Sequence, residues 1–203
     1  GTDVLEINSP ITVATLLKNV SNVETLKFAD ASTHDVTLAA DANVMNFDFT
    51  SVGSNLLTLN TGVEGAVSAT FGITGADQVN NAANVALTVK GSATAIDTST
   101  LITGGSGTDV IEITADTEAD VAINIAGGNI TKVETITIVD GGDATTGSTK
   151  LSGKDVNLTT GSYATALTID GSALDAANKD NDSDGDIDNT DTSAEKLTVD
   201  GSS

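Results

Sequence analysis

Six aspartates crowd into residues 180–191 (DNDSDGDIDNTD) at a spacing that suits one hard cation. Counted as a twelve-residue loop, Asp180, Asp182 and Asp184 take positions one, three and five. Gly185 takes six, Asp186 seven, Ile187 eight, Asp188 nine and Asp191 twelve. Calcium binds six to eight oxygens, and alternate carboxylates on a tight turn supply three of them. Gly185 permits the reversal, the Asp186 carbonyl turns inward, and Asp188 ligates directly or through a water. Ile187 ties the loop to an apolar neighbour. The chemistry expected here is calcium binding; the plain alternative is a solvated acidic linker.

The loop is EF-hand-like with two departures. Position twelve is Asp191 rather than Glu, a shorter arm for bidentate ligation. The flanks do not read as a helix pair: residues 196–200 (KLTVD) alternate like a strand, and 173–179 allow one short helix at most. The loop is therefore similar to the helix-poor DxDxDG loops of bacterial extracellular proteins.

A second pattern lies at residues 104–112 (GGSGTDVIE), which fits the calcium nonapeptide G-G-x-G-x-D-x-U-x. Asp109 is the candidate ligand and Ile111 the inward apolar residue, with Asp140 or Asp143 as further acidic partners if either lies near. The competing reading is a glycine-rich turn leading into a strand. Residues 1–7 (GTDVLEI) look like the same motif without its first glycines, and with no initiator Met the chain reads as a cut fragment.

These motifs need elements to hold them, and the elements read as strands. Apolar β-branched runs recur at 4–7, 23–28, 36–39, 44–50, 56–60, 66–71, 85–90, 110–114, 121–125, 133–139, 156–159, 166–170 and 196–200, separated by Gly, Asn, Asp and Ser. Residues 11–17 fit a strand or a single helical stretch. No long 3.6-residue period appears, so the expected class is all-β. Hydrophobic residues make up 38% of the 203 residues but aromatics only 2%, which points to a core of Val, Ile, Leu and Ala in thin, regularly stacked sheets. We favour a right-handed parallel β-solenoid, or β-helix-like repeats. The alternative is tandem Ig-like β-sandwiches.

Longer matches suggest two copies of a unit. GTDV recurs at 1 and 107, VET at 23 and 133, LTL/LTI at 57 and 167, and LTVKGS/LTVDGS at 87 and 197. DVTL at 35 and DVNL at 155 match at a slightly longer offset. The expected organisation is a first β-repeat over 1–103 and a second over 104–203, the latter carrying the inserted calcium loop. Repetition of this kind belongs to scaffolds and arrays more than to enzymes.

Charge narrows the partners. The net charge is −21 and the pI near 4.1, with lysines but no arginine. Nucleic acid needs a basic footprint, and anionic membranes need one too. Cysteine is absent, so no disulfide helps the fold. No apolar run is long enough for a transmembrane segment, and no signal-peptide pattern is present.

The nonapeptide, the VET strands (23–28 and 133–138) and the LTV-x-GS strands (87–92 and 197–202) together resemble RTX-type surface-layer proteins and large adhesins of Gram-negative bacteria and cyanobacteria. The resemblance covers both repeats; tandem nonapeptides are missing. It implies type I secretion, an extracellular, cell-surface location, calcium-dependent folding and assembly, and partners that are other copies of itself or neighbouring repeats.

Three functions compete. The first is a structural, calcium-stabilised segment of a secreted S-layer-like protein, ordered and stiffened by the ion. The second is an adhesin module for cell-surface polysaccharide or another surface, although Tyr163 is the lone tyrosine and stacking aromatics are scarce. The third is an enzyme. His34 beside Asp35 is the one acid–base candidate of its kind, and a single His next to a strand reads as a surface or turn residue. We expect no catalysis.

Overall fold

The computed structural model describes residues 1–11, 15–17, 20, 22–39, 44–51, 53–72, 75–83, 85–115, 121–125, 128–140, 156–160, 166–173 and 197–201. Among these residues all regular structure is β. In chain order the strands are β1 (Val4–Ile7), β2 (Thr15–Leu17), β3 (Thr25–Phe28), β4 (Asp35–Leu38), β5 (Asn46–Phe49) and β6 (Leu56–Leu59). Next come β7 (Val67–Phe71), β8 (Gln78–Asn81), β9 (Leu87–Ser92), β10 (Leu101–Thr103), β11 (Val110–Ala115) and β12 (Val121–Asn124). The last are β13 (Ile130–Thr131), β14 (Thr135–Asp140), β15 (Val156–Thr159), β16 (Thr168–Ala173) and β17 (Leu197–Asp200).

Every strand pairing is parallel, and consecutive strands go to different sheets, which is the signature of a coil that stacks on itself. One eight-stranded sheet runs β1-β3-β5-β7-β9-β11-β14-β16. A six-stranded sheet, β2-β4-β6-β8-β10-β13, forms the opposite wall, and a three-stranded sheet, β12-β15-β17, enters late. The chain is a parallel β-solenoid. Ig-like sandwiches fail here because they require antiparallel hairpins and Greek keys. No helix is long and apolar enough to cross a membrane among the described residues.

The repeat that builds the solenoid is shorter than the one read from the sequence. Down the eight-stranded sheet, Val4, Thr25, Asn46, Ser68, Thr88 and Val110 are successive partners, so the coils take 21, 21, 22, 20 and 22 residues. The next steps, to Thr135 and Thr168, lengthen to 25 and 33. The GTDV and VET matches are five coils apart in one sheet. The other three matches join strands of different sheets: β6 with β16, β9 with β17, and β4 with β15. The eight-stranded sheet also continues across Thr103 and Gly104 through the β9–β11 pairing.

Alternation explains the core. Strands such as β7 and β9 bury every second residue, and the inward side chains of facing walls form one apolar cluster from Leu26 to Leu158. Aromatics matter more than their number suggested. Phe28, Phe47, Phe49 and Phe71 are all buried, and three of them stack in one column, with ring centroids 4.5 Å apart for Phe28–Phe49 and 5.3 Å for Phe49–Phe71. The column ends where Phe71 meets Gly91, whose missing side chain leaves room for buried Ile96. Truncating Phe49 to Ala is expected to cost about 3–5 kcal/mol.

Candidate functional site

Parallel coils leave backbone groups at their corners, where the ladder of one strand stops and the next has not begun. Here polar side chains fill that need, and they hold most of the buried chemistry. At the entry to the six-stranded sheet stand Ile11, His34, Asn55 and Asp77, each just before or near a strand and one coil apart. The Ile11 N–H donates to His34 Nδ1 (3.2 Å), the His34 N–H to Asn55 Oδ1 (3.3 Å), and the Asn55 N–H to Asp77 Oδ1 (2.7 Å). Each side chain thus caps the backbone of the coil before it. The carbonyls continue the series in the other direction, from Leu56 N–H to His34 O and from Gln78 N–H to Asn55 O.

His34 is therefore not the surface residue that its sequence setting suggested. It is fully buried, packs 4.6 Å from the Phe28 ring, and uses both ring nitrogens. Nδ1 accepts from Ile11, which places the proton on Nε2, directed at Asp30 Oδ1 at 2.7 Å. A histidine with both nitrogens engaged in the wall is a structural part and offers no reacting atom at the surface. Its sequence neighbour Asp35 begins β4 and is half-buried.

Asp77 ends this series. It is fully buried, and Oδ1 also accepts from Asn55 Nδ2 (3.0 Å). Oδ2 has no well-formed partner among the described residues; the Ser54 N–H supplies only a weak attraction. Burial raises its pKa above the ordinary carboxylate value, the Asn55 hydrogen bonds oppose the rise, and the charge of Asp97 adds to it.

Asp109 stands at the entry to β11 and is also fully buried. Oδ1 accepts from the Leu87 N–H (2.9 Å) and Asn81 Nδ2 (3.2 Å), and Oδ2 accepts from the Gly105 N–H (2.7 Å). Its own N–H donates to Glu134 Oε2 (2.8 Å), and its carbonyl accepts from the Glu134 and Thr135 N–H groups. Burial raises its pKa, the Leu87 and Gly105 N–H groups hold it down in part, and the Glu134 charge pushes the same way as burial. Glycine is required beside it for closeness: a Cβ on Gly104 would strike the Lys132 carbonyl and the Asp109 carboxylate, and one on Gly105 would strike the Ala83 carbonyl. Ile111 points inward and is fully buried, as the motif implies.

In this arrangement Asp109 faces N–H donors rather than an oxygen cage. Asp140 ends β14 opposite Ala115, at the other end of the strand pair from Asp109, and Asp143 lies outside the described residues. The candidate ligands Asp180, Asp182, Asp184, Asp186, Asp188 and Asp191, and Tyr163, lie outside them too. Among the described residues there is no cluster of three or more His, Asp or Glu that could hold a metal ion.

The GTDV corner occurs twice, and the structure shows both. Asp3 N–H donates to Glu24 Oε2 (2.7 Å) and Asp3 O accepts from the Glu24 and Thr25 N–H groups, the pattern made by Asp109 with Glu134 and Thr135. Sequence reasoning found both motifs and weighed Asp109 as an ion ligand against a glycine-rich turn leading into a strand. The His34–Asn55–Asp77 series was missed; the signal available was three polar residues recurring at 21 and 22 residues, each before an apolar strand.

Searches against protein-family profiles, curated proteins and solved structures find no match to the chain.

Proposed function

We infer that this chain is a structural segment of a secreted bacterial cell-surface protein of the S-layer type, stabilised by calcium at residues 180–191. The observation that supports a scaffold role best is the coil stack itself. Its buried polar residues, His34, Asn55, Asp77 and Asp109, are spent on capping neighbouring coils, so the chemistry of the wall serves rigidity. The alternate-aspartate loop sits in the sequence between β16 and β17. Without an ion its carboxylates repel one another on a chain that already carries a net charge of −21. With calcium bound, binding energy becomes folding energy, about 2.7 kcal/mol at a hundredfold excess over Kd. A thermal melt followed by circular dichroism, in EDTA and in millimolar calcium, tests this. A rise in melting temperature with calcium that disappears in an Asp182→Ala/Asp184→Ala variant is the expected result. An unchanged melt overturns it.

A further inference from the structure

The outer face of the eight-stranded sheet carries charges in an order that is complementary to its own reverse. Among the described residues the lysines are Lys27, Lys90 and Lys132, and the first two share one outward column. Strand pairing sets Lys27, Asp48, Thr70, Lys90 and Glu112 side by side on five consecutive coils. Their chain neighbours Leu26, Phe47, Ala69, Val89 and Ile111 are buried, so alternation turns the column outward. The side chains of Lys27, Lys90 and Glu112 are 41%, 40% and 31% exposed. Beside the column, Thr25, Asn46, Ser68 and Thr88 make a second outward row of small polar residues. Nothing bulky in that row holds a facing surface away from the charges. These strands, β3 to β11, lie inside the sheet, each paired on both sides.

Read forward, the column is Lys, Asp, Thr, Lys, Glu; read backward, it is Glu, Lys, Thr, Asp, Lys. Laid against each other, the two orders put an acid across from every lysine. We propose that a second copy of this chain docks on this face, about a two-fold axis that runs along β7 at Thr70. Lys27 then meets Glu112 of the second copy, Asp48 meets its Lys90, and Thr70 meets Thr70. The same pairs recur on the other side of the axis, so the contact is isologous and closes as a dimer. Ser68 in the neighbouring row also falls on the axis, and Asn46 faces Thr88, a pair able to share a hydrogen bond. The register is specific. Sliding the copies by one coil sets Lys27 against Lys90 or Asp48 against Glu112, and like charges across an interface oppose it.

The charges are exposed, so each pair contributes little alone. Lys27 already lies 3.4 Å from Glu6, and Lys90 3.0 Å from Glu112, inside the sheet. An ammonium has three donors, which leaves room for a second carboxylate. Five coils at about 4.8 Å, with strands of about five residues at about 3.3 Å each, make a flat contact of roughly 400 Å² per copy, about half of a standard interface. The dimer is therefore weak, and the charge order fixes its alignment more than its strength. The net charge of −21 pushes copies apart, but at about 0.15 M salt that repulsion is screened beyond about 8 Å while contact pairs persist. The outer face of the six-stranded sheet offers no such match, because its strands carry no lysine among the described residues. The inference goes beyond the scaffold reading by naming the surface on which copies meet, and it rests on strand register rather than on the loop at 180–191.

Sedimentation equilibrium of the full 203-residue chain in EDTA and about 0.15 M salt, from dilute to about 1 mM, tests it. Wild type, Glu112→Lys, and Glu112→Lys with Lys27→Glu are compared, with circular dichroism to show that each is folded. Glu112→Lys makes the chain less acidic, so general repulsion alone would tighten association. The proposed dimer instead gains two like-charge contacts at Lys27 and should weaken about fivefold or more. The double variant keeps the wild-type net charge and restores opposed pairs, so it should recover most of that loss. Because the chain has no cysteine, Thr70→Cys adds a geometric readout. A short bis-maleimide should link it to its own copy about tenfold faster than it links Thr58→Cys, on the outer face of β6. A wild type that stays monomeric across the range overturns the proposal. So does a Glu112→Lys variant that associates as well as wild type, a double variant no tighter than the single, or equal linking of the two cysteine variants. None of these results depends on whether calcium shifts the melt, so the two readings can fail separately.

Discussion

Asp77 and Asp109 are both fully buried carboxylates at coil corners, yet the solenoid treats them differently. Asp109 gives both oxygens to N–H donors from Leu87, Asn81 and Gly105. Asp77 commits one oxygen to Asn55 and leaves the other without a well-formed partner. The first is a junction that needs two acceptor oxygens, because donors converge on it from two directions. The second needs only an acceptor, and Asn55 does the same work one coil earlier with an amide. Burial raises both pKa values, so the charge itself opposes folding at each site.

The contrast is sharpest on removal of the side chain. Asp109→Ala strands three donors in a dry corner and should cost about 3 kcal/mol or more, read as a lower urea midpoint. Asp109→Asn comes next. Whichever way the amide is turned, an NH2 faces an N–H of Leu87 or Gly105, and a loss of about 1–3 kcal/mol is expected. A neutral outcome for both would mean that the corner is not what holds coil to coil.

Asp77→Asn should act in the opposite direction. A carboxyl with a raised folded pKa holds its proton more tightly when folded. Its favourable contribution is complete below the unfolded value, near 3.8, and is lost as pH rises through the folded one. Wild type should therefore lose stability relative to Asp77→Asn across that window, and the variant should melt higher at pH 7. Denaturant titrations of the pair at several pH values check this, and equal slopes would erase the distinction between the two aspartates. The smallest effect belongs to Asp3→Ala. Asp3 is the exposed copy of Asp109, and its truncation should change the folding free energy of the isolated chain by under about 0.5 kcal/mol.

Much of the fold was legible in the sequence, because period-two alternation with Gly, Asn and Asp breaks reports strands directly. The strands β8, β10 and β13 escaped notice for physical reasons. QVNN in β8 has one apolar residue, and its second buried position is Asn81, held by hydrogen bonds to Val85 O and Asp109. β10 and β13 are only three and two residues long, and parallel pairing on both sides of β10 sustains them. The coil of about 22 residues was hidden because inward positions accept Phe, Ile, Val or a Gly–Ile pair equally well, so registry is kept in shape while letters drift. The corner aspartate was recognisable as special from the glycines beside it, but the Leu87 N–H and the Asn81 amide that it accepts from belong to the coil before it, and no local spacing announces them.

The short coil also sets how the molecule yields to force. Each coil contacts only its neighbours, so tension applied along the axis peels one at a time. A released coil of 20–22 residues becomes about 70 Å of extended chain, in place of roughly 5 Å of stacked height. The coils holding Phe28, Phe49 and Phe71 should resist longest, since stacked rings lock three consecutive layers. Stretched, the solenoid would behave as a ratchet of equal steps with a stiff aromatic catch near its first third.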